Sequence, residues 1–369
     1  MEETAVKQFP VVGDGSGLGP SDTFYREELQ LAFRNRGMPL EALRYPVTPT
    51  GMHYLVIHFD VPYVSPNEWR LELGGLVSRP VSLSLEDIKA RPAQSFAVTM
   101  ECAGNGRALF EPRPVGQPWL LEAVGTSQWT GTPLRPLLEE AGLLEGAVDI
   151  VFTGADQGVQ GGEVQYYQRS LSVDEAMRDE VLLAYEMNGA PLEPQHGYPL
   201  RLVVPGWYGM TSVKWLVRID AVPQPFEGFQ MMGSYRYART RDEVGEPVTT
   251  MRPRALMVPP GIPDFLTRTR MVEPGSVTLT GRAWAGRSQV ARVEVSTDGG
   301  VSWAEAELGE QPSPYAWREW TYRWDAAPGT HILCVRAVDA EGNTQPESPE
   351  WNFGGFGNNA IQRVSVTVE

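Results

Sequence analysis

The sequence predicts a two-domain α+β protein, in which a mixed α+β domain is followed by a β-sandwich. Length is the first reason, since 369 residues exceed the usual size of one hydrophobic core. The second is a stretch at 240–265 rich in Pro, Arg and acidic residues, with mixed helix and strand signals before it and only strand signals after it. We therefore expect an N-terminal tail at 1–22, a first domain at 23–250 and a second domain at 251–369.

Short strands and short helices alternate irregularly in the first domain. Thr132-Pro133 has the residue types of a helix start, with the helix ending at Gly142. Ser172 to Glu175 matches a capping box, and Asn188-Gly189 is typical of a tight turn. This mixture favours α+β over a doubly wound sheet. The β-rich runs predicted as strands are 53–59, 69–73, 96–100 and 200–204.

The second domain shows strand signals along its length. Thr297 to Gly300 is a turn signal of the kind that joins two strands of a hairpin. Alternating runs with turn residues between them, and no helix signal, predict a β-sandwich. The predicted strands are 277–284, 290–296, 321–324, 332–338 and 364–368.

Charge and hydropathy exclude several classes of partner. The net charge of −15 argues against a nucleic-acid binder, because such affinity comes from clustered cationic surface. No apolar run is long enough to span a bilayer, so no membrane association is expected. The N-terminus carries no export signal, which predicts a cytoplasmic protein, or a periplasmic one if a leader has been removed.

Two cysteines, Cys102 and Cys334, are too few for a disulfide scaffold and form no zinc pattern. Cys102 lies where an apolar strand runs into the small, polar residues 103–107. It is either a buried thiol acting as a small hydrophobe or a thiolate ligand for a transition metal, and the local pattern leaves both interpretations open. Cys334, inside a predicted strand, fits the first interpretation.

If Cys102 is a metal ligand, we expect side chains near it that could bind an anionic substrate or cofactor. Fixed guanidinium groups suit an oxyanion or a cofactor phosphate, although each arginine alone could be structural. His53 and His58 are expected on opposite faces of a strand, so they do not make a metal site by spacing. The candidate arginines and the aromatic residues near them are Arg34, Arg107, Arg201, Arg236, Trp119, Trp207, Tyr208 and Tyr235.

Several motifs together resemble the sulfite oxidase family of molybdopterin enzymes, which also includes plant-type nitrate reductases. The likeness covers nearly the whole chain from about residue 30, in the same order. In the second domain, residues 293–303 resemble the family's immunoglobulin-like dimerisation domain. The matching segments of the first domain are Phe33-Arg34-Asn35, the cysteine loop from Met100 to Arg107, the LLAYEMNG run at 182–189, the run from His196 to Gly206, and the SVKWL run at 212–216.

The resemblance implies a molybdenum–molybdopterin cofactor, with Cys102 as the protein ligand to molybdenum. Arg34 and Arg107 would face the substrate oxyanion, Trp119 would wall the pocket and Tyr235 would be the pocket tyrosine. For Trp119 and Tyr235, packing in the core is the alternative. The residues implied to hold the pterin and its phosphate are Arg34, Asn35, Asp156, His196, Arg201, Ser212 and Lys214.

The implied activity is oxidation of sulfite to sulfate by a homodimer, with electrons passed to an external acceptor such as a c-type cytochrome and no haem in this chain. Two positions depart from the family pattern: Arg36 replaces the histidine of RNH, and Gly354 stands where a substrate arginine is expected. Loss of that cation keeps nitrate or an organic sulfur compound as alternative substrates, unless Arg36 or Arg236 fills the space. The alternative from another class is a non-catalytic binding module with a vestigial site.

Overall fold

The computed structural model describes residues 8–10 and 23–369. Most of the predicted tail at 1–22 lies outside these residues, so that prediction stays open. Its described part, Gln8–Pro10, is a strand (β1) that pairs antiparallel with Thr23–Tyr25 (β2). Within the described ranges, no helix has the length and apolar character needed to cross a membrane.

Short helices and longer strands build the first domain. The helices are α1 (Arg26–Arg34), α2 (Leu85–Lys89), α3 (Leu134–Ala141), α4 (Val173–Ala176) and α5 (Phe229–Met232). The strands that follow β2 are β3 (Leu71–Gly75), β4 (Val81–Leu83), β5 (Gln94–Glu101), β6 (Val124–Pro133), β7 (Asp149–Gln160), β8 (Glu163–Ser172), β9 (Leu182–Met187), β10 (Ala190–Pro191), β11 (Arg201–Val203), β12 (Leu216–Val222), β13 (Arg236–Tyr237) and β14 (Glu246–Pro247).

Two five-stranded sheets form the body of this domain. One has the order β10-β9-β6-β5, with β11 also paired to β9, and the other has the order β4-β3-β12-β7-β8. In the second sheet β12 and β3 run parallel, whereas its other pairs are antiparallel. Apolar residues of α3 and both sheets share one core, which includes Leu71, Leu137, Phe152, Leu183 and Ile219. The end of β5, where Cys102 follows, packs instead in a second apolar cluster with Val98 and Met100.

The second domain is a β-sandwich, as predicted. Its sheets have the orders β15-β18-β22-β21 and β16-β17-β24-β23-β19-β20, and they enclose a core that contains Trp320, Leu333 and Val335. Each predicted run lies within one strand. The strands are β15 (Arg254–Met257), β16 (Ile262–Pro263), β17 (Arg270–Val272), β18 (Gly275–Trp284), β19 (Val290–Ser296), β20 (Ala304–Glu305), β21 (Glu307–Leu308), β22 (Arg318–Ala326), β23 (Gly329–Asp339) and β24 (Gln362–Val368).

Most local signals in the first domain are confirmed. The helix predicted with Thr132 as N-cap and Pro133 as its first residue begins one residue later, at Leu134, with Pro133 as its N-cap. The Ser172 side chain accepts a hydrogen bond from the Glu175 N–H, as a helix cap does. The strand predicted at 53–59 is wrong, because this segment makes only an isolated bridge between Leu55 and Arg36. The N–H of Ile57 donates to the Asn35 side chain (2.7 Å), so backbone groups that a sheet would use are paired elsewhere.

Candidate functional site

Most of the predicted cofactor residues meet in one pocket of about 680 Å³. The pocket lies at the end of β5, where Cys102 is half-buried. Three separate stretches of chain after β5, at 156, 195–215 and 235, supply the other predicted residues. The predicted residues that line it are Cys102, Asp156, His196, Arg201, Ser212, Lys214 and Tyr235.

Burial and nearby donors set the protonation state of the Cys102 thiol. Burial raises the pKa of the Cys102 thiol, although the nearby Arg107 guanidinium and the Gly104 N–H act to lower it. The Trp119 indole N–H lies close enough to lower this pKa too, but it makes no hydrogen bond of good geometry. Without a metal ion the thiol is therefore protonated at neutral pH, and binding of a metal ion would displace that proton.

Two cations lie on the other side of the pocket, Arg201 buried and Lys214 half-buried. Arg201 donates to the carbonyls of His196 (3.0 Å) and Ser212 (3.0 Å). Lys214 donates to the carbonyls of Val56 (2.7 Å) and Gln195 (3.0 Å). In the described chain neither residue forms an ion pair, and each cation also lies over a tryptophan ring, so no carboxylate neutralises their charge at contact distance.

Burial disturbs the protonation of these groups. It lowers the pKa of Lys214 to about 7, with the Arg201 charge adding to the shift and the Asp156 carboxylate opposing it. Burial likewise raises the pKa of Asp156 to about 6, despite the opposing Lys214 charge. A bound anion would restore the full charge of Lys214, so this corner of the pocket is built for a negative group.

Unpaired polar atoms provide a test of whether a cofactor phosphate fits. His196 Nε2 and Arg201 Nε are buried and have no hydrogen-bond partner among the described residues. The His196 ring lies 5.9 Å from that of His53, and burial lowers their pKa values to about 2 and about 4, which keeps both rings neutral. Buried donors without partners beside two cations match a phosphate-bearing ligand.

Arg107 is buried near Cys102 and donates hydrogen bonds to two backbone carbonyls. Its Nε donates to the Gly354 oxygen (3.0 Å) and its Nη1 to the Gln117 oxygen (3.1 Å). Gly104 is required for this arrangement, because a Cβ there would lie 2.5 Å from Arg107 Nη2. The predicted substrate cation is thus buried next to the thiol, although it does not line the pocket itself.

Three other predicted residues do not line the pocket. Arg34 is exposed, and its Nη2 donates to the Phe59 carbonyl (2.8 Å). Asn35 is buried and donates to the side-chain oxygen of Gln117 (2.9 Å), while the backbone carbonyl of Gln117 accepts from Arg107. Trp119 packs in an apolar cluster next to Cys102, which is the core-packing alternative for this residue. Their roles toward cofactor and substrate stay predictions.

The two arginines considered as replacements for the cation missing at Gly354 differ in their surroundings. Arg36 is exposed, and its charge acts to lower the pKa values of His53 and His196. Arg236 is half-buried and donates to carbonyls of nearby loops, including that of Gly245 (2.7 Å). Neither arginine lines the pocket, so a replacement role for either stays a prediction.

Several lining residues were missed from the sequence. Gln195 adjoins the run from His196 to Gly206, and Trp215 lies within the SVKWL run at 212–216, so the segments that carry the family resemblance already pointed to both. Tyr54, His58 and Tyr167 also line the pocket but belong to no motif. Tyr167 reaches it because the β7–β8 hairpin is long, and its hydroxyl donates to the Met210 carbonyl (2.8 Å).

Comparison with known proteins decides the family. Residues 58–230 match the oxidoreductase molybdopterin binding domain, and residues 253–369 match the Mo-co oxidoreductase dimerisation domain. Sulfite oxidase from Gallus gallus is 36% identical over 350 residues, which cover 86% of this chain and 72% of that protein. The chain belongs to the sulfite oxidase family. The predicted fold class and molybdopterin cofactor are thereby confirmed.

Other members of the sulfite oxidase family and a solved structure extend this result. Human mitochondrial sulfite oxidase is 36% identical over 348 residues, and the match covers 87% of this chain but 62% of the human protein. An NADH nitrate reductase of Brassica napus is 31% identical over 366 residues, covering 90% of this chain and 40% of that enzyme. The sulfane dehydrogenase SoxCD of Paracoccus pantotrophus superimposes with a TM-score of 0.78 at 26% identity, over 99% of this chain and 90% of that one.

Proposed function

We propose that this chain oxidises sulfite to sulfate with a molybdenum cofactor bound at Cys102. The observation that carries this proposal is the pocket that brings the Cys102 thiol together with the cations Arg201 and Lys214, with Arg107 buried near the thiol. The sulfite oxidases among its relatives support this choice of substrate.

The residues in the pocket divide into two groups by chemistry. The Cys102 thiolate would bind the metal, and Arg201, Lys214 and His196 would bind the pterin phosphate, with Ser212 and Asp156 on the pterin. Arg34 and Asn35 are predicted to add to the cofactor contacts from their position beside the pocket. When bound, the cofactor supplies the two-electron redox change and the oxygen transfer.

The chain's own contribution is to bind and orient the oxyanion. Arg107 would attract sulfite in a setting of low dielectric, with Arg34 as the second predicted cation. Burial raises the pKa of Tyr235, so its hydroxyl stays protonated and would donate to a substrate oxygen. Trp119 would limit the space beside the thiol.

The overall reaction needs an acceptor for electrons. Sulfite gains one oxygen atom, and that oxygen comes in net terms from one water molecule. Two protons and two electrons are released. The electrons would pass singly to an external carrier such as a c-type cytochrome. The net charge of −15 would attract a basic carrier. The second domain, which matches a dimerisation domain, would join two copies of the chain into a homodimer.

The test measures molybdenum content together with sulfite-dependent reduction of cytochrome c. Wild type should bind molybdenum and turn over sulfite, whereas Cys102→Ser should lose at least about 1,000-fold in rate because the metal ligand is removed. Cys334→Ser is the matched control, since Cys334 is buried in β23 of the second domain. Nitrate reduction without sulfite turnover by the loaded wild type would contradict the proposal.

A further inference from the structure

A short segment of the second domain, Gly354–Asn358, packs against the loop that follows Cys102. The Gly357 N–H donates to the Ala103 carbonyl (2.8 Å), and Asn358 Nδ2 donates to the Gly106 carbonyl (2.8 Å). The Gly354 carbonyl accepts from Arg107, as described above. The cysteine loop is therefore held along its length by residues about 250 positions away.

Within this segment, Phe356 contacts two of the predicted substrate residues at once. Its ring centre lies 5.1 Å from Arg107 Cζ and 5.1 Å from the Tyr235 ring centre. Tyr235 in turn lies 5.5 Å from the guanidinium carbon of Arg169, which is 2% exposed. Two aromatic rings thus connect two buried guanidinium groups across the domain boundary.

Glycines make room for this arrangement. A Cβ on Gly354 would lie 2.3 Å from the Phe356 ring, and one on Gly355 would lie 2.7 Å from Arg107 Cγ. Gly355 also has a φ of +62°, which disfavours other residues. The missing side chain at 354 is therefore what lets the Phe356 ring reach its place.

An aromatic contact suits Arg107 better than an acidic one would. In the described part of the chain Arg107 forms no ion pair, and its partners are two carbonyls and the Phe356 ring. A carboxylate would neutralise the guanidinium, whereas a ring face holds it and leaves its charge available to an anion.

We propose that Phe356 is a positioning residue that fixes Arg107 and Tyr235 relative to each other for the oxyanion substrate. The second domain then contributes the Phe356 ring to the site. The family resemblance would instead lead one to expect an arginine from this domain, at position 354. This inference rests on the proposed function, because it takes Arg107 and Tyr235 to face the substrate.

Steady-state kinetics on the molybdenum-loaded protein give the first test. In Phe356→Leu, KM for sulfite should rise about ten-fold while kcat changes by less than about three-fold, since the lost contact orients Arg107 and does not touch the metal. Phe356→Tyr keeps the ring and should retain a near wild-type KM. Gly354→Ala, whose Cβ displaces the ring without removing it, should raise KM as Phe356→Leu does.

Chemical modification gives a readout that does not depend on turnover. Phenylglyoxal reacts with accessible arginines, and mass spectrometry can follow the Arg107 peptide in the loaded protein. Arg107 should react several-fold faster in Phe356→Leu and Gly354→Ala than in wild type, because the ring no longer covers it. Phe353→Leu is the matched control, since Phe353 is 50% exposed and should leave both KM and the modification rate unchanged.

An unchanged KM together with an unchanged Arg107 modification rate in both variants would overturn the inference. Failure of the proposed function would look different. Wild type would then show no sulfite turnover, while the modification rates would still report whether Phe356 holds Arg107.

Discussion

The cofactor side and the substrate side of the pocket are built in different ways. On the cofactor side, Arg201 and Lys214 are held by carbonyls of the first domain alone. On the substrate side, Arg107 and Tyr235 are held by the Gly354 carbonyl and the Phe356 ring of the second domain. With the predicted roles of these residues, we therefore expect cofactor binding to depend on the first domain, and substrate binding to depend on how the two domains pack.

A buried ion pair strengthens the contact between domains next to the thiol. Glu101, immediately before Cys102, lies 2.6 Å from Arg254 of β15, and the two side chains are 2% and 1% exposed. The other Glu101 oxygen accepts from the Trp284 indole (2.9 Å), and Asn105 donates to the carboxylate (3.0 Å). The strand that positions Cys102 is therefore tied to the second domain through a fully buried charge.

Breaking this ion pair should have the largest effect. Arg254→Met would leave the Glu101 carboxylate buried without its cation, which should lower the free energy of unfolding by about 3–5 kcal/mol. Denaturant unfolding of the loaded protein measures this loss. The double variant Glu101→Gln with Arg254→Met should recover much of it, because no charge is left unpaired. A loss below about 1 kcal/mol in the single variant would show that the domains do not depend on this pair.

The cofactor side can be weakened without touching the domain contact. Lys214→Met would remove a charge-assisted donor worth about 1.5–3 kcal/mol, so cofactor affinity should fall about 10- to 100-fold. Molybdenum content after extensive dialysis is the measurement, and the loaded fraction should keep its KM for sulfite. Lys89→Met, at an exposed lysine of α2, is the control. A raised KM with full molybdenum content would place Lys214 on the substrate side instead.

Arg34 should give the smallest effect of these changes. Its guanidinium is exposed and donates to the Phe59 carbonyl outside the pocket, so Arg34→Met should raise KM for sulfite by less than about three-fold. Arg107→Met, assayed in parallel, should raise it more. An Arg34→Met effect as large as that of Arg107→Met would mean that Arg34 turns into the pocket when substrate binds.

Local patterns predicted the local structure well. Every strand run of the second domain lies within an observed strand, and Asn188-Gly189 has the positive φ angles of a tight turn, 54° and 77°. The segment 53–59 is the exception, because its alternation was typical of a strand but its backbone partners come from Arg36 and Asn35. Pattern alone could not foresee those partners, which follow from how α1 leads into the domain.

The sequence by itself determined the cysteine loop, the order of the family's motifs and thus most of the predicted cofactor residues that meet in the pocket. These features are local, since each depends on a few neighbouring residues whose types fix a turn, a strand or a set of donors. Only the tertiary structure decided that Arg34 lies outside the pocket, that His53 meets His196 and that Phe356 covers Arg107. Such contacts join residues from 25 to about 250 positions apart, and they arise from the packing of whole elements and domains, which no short motif records.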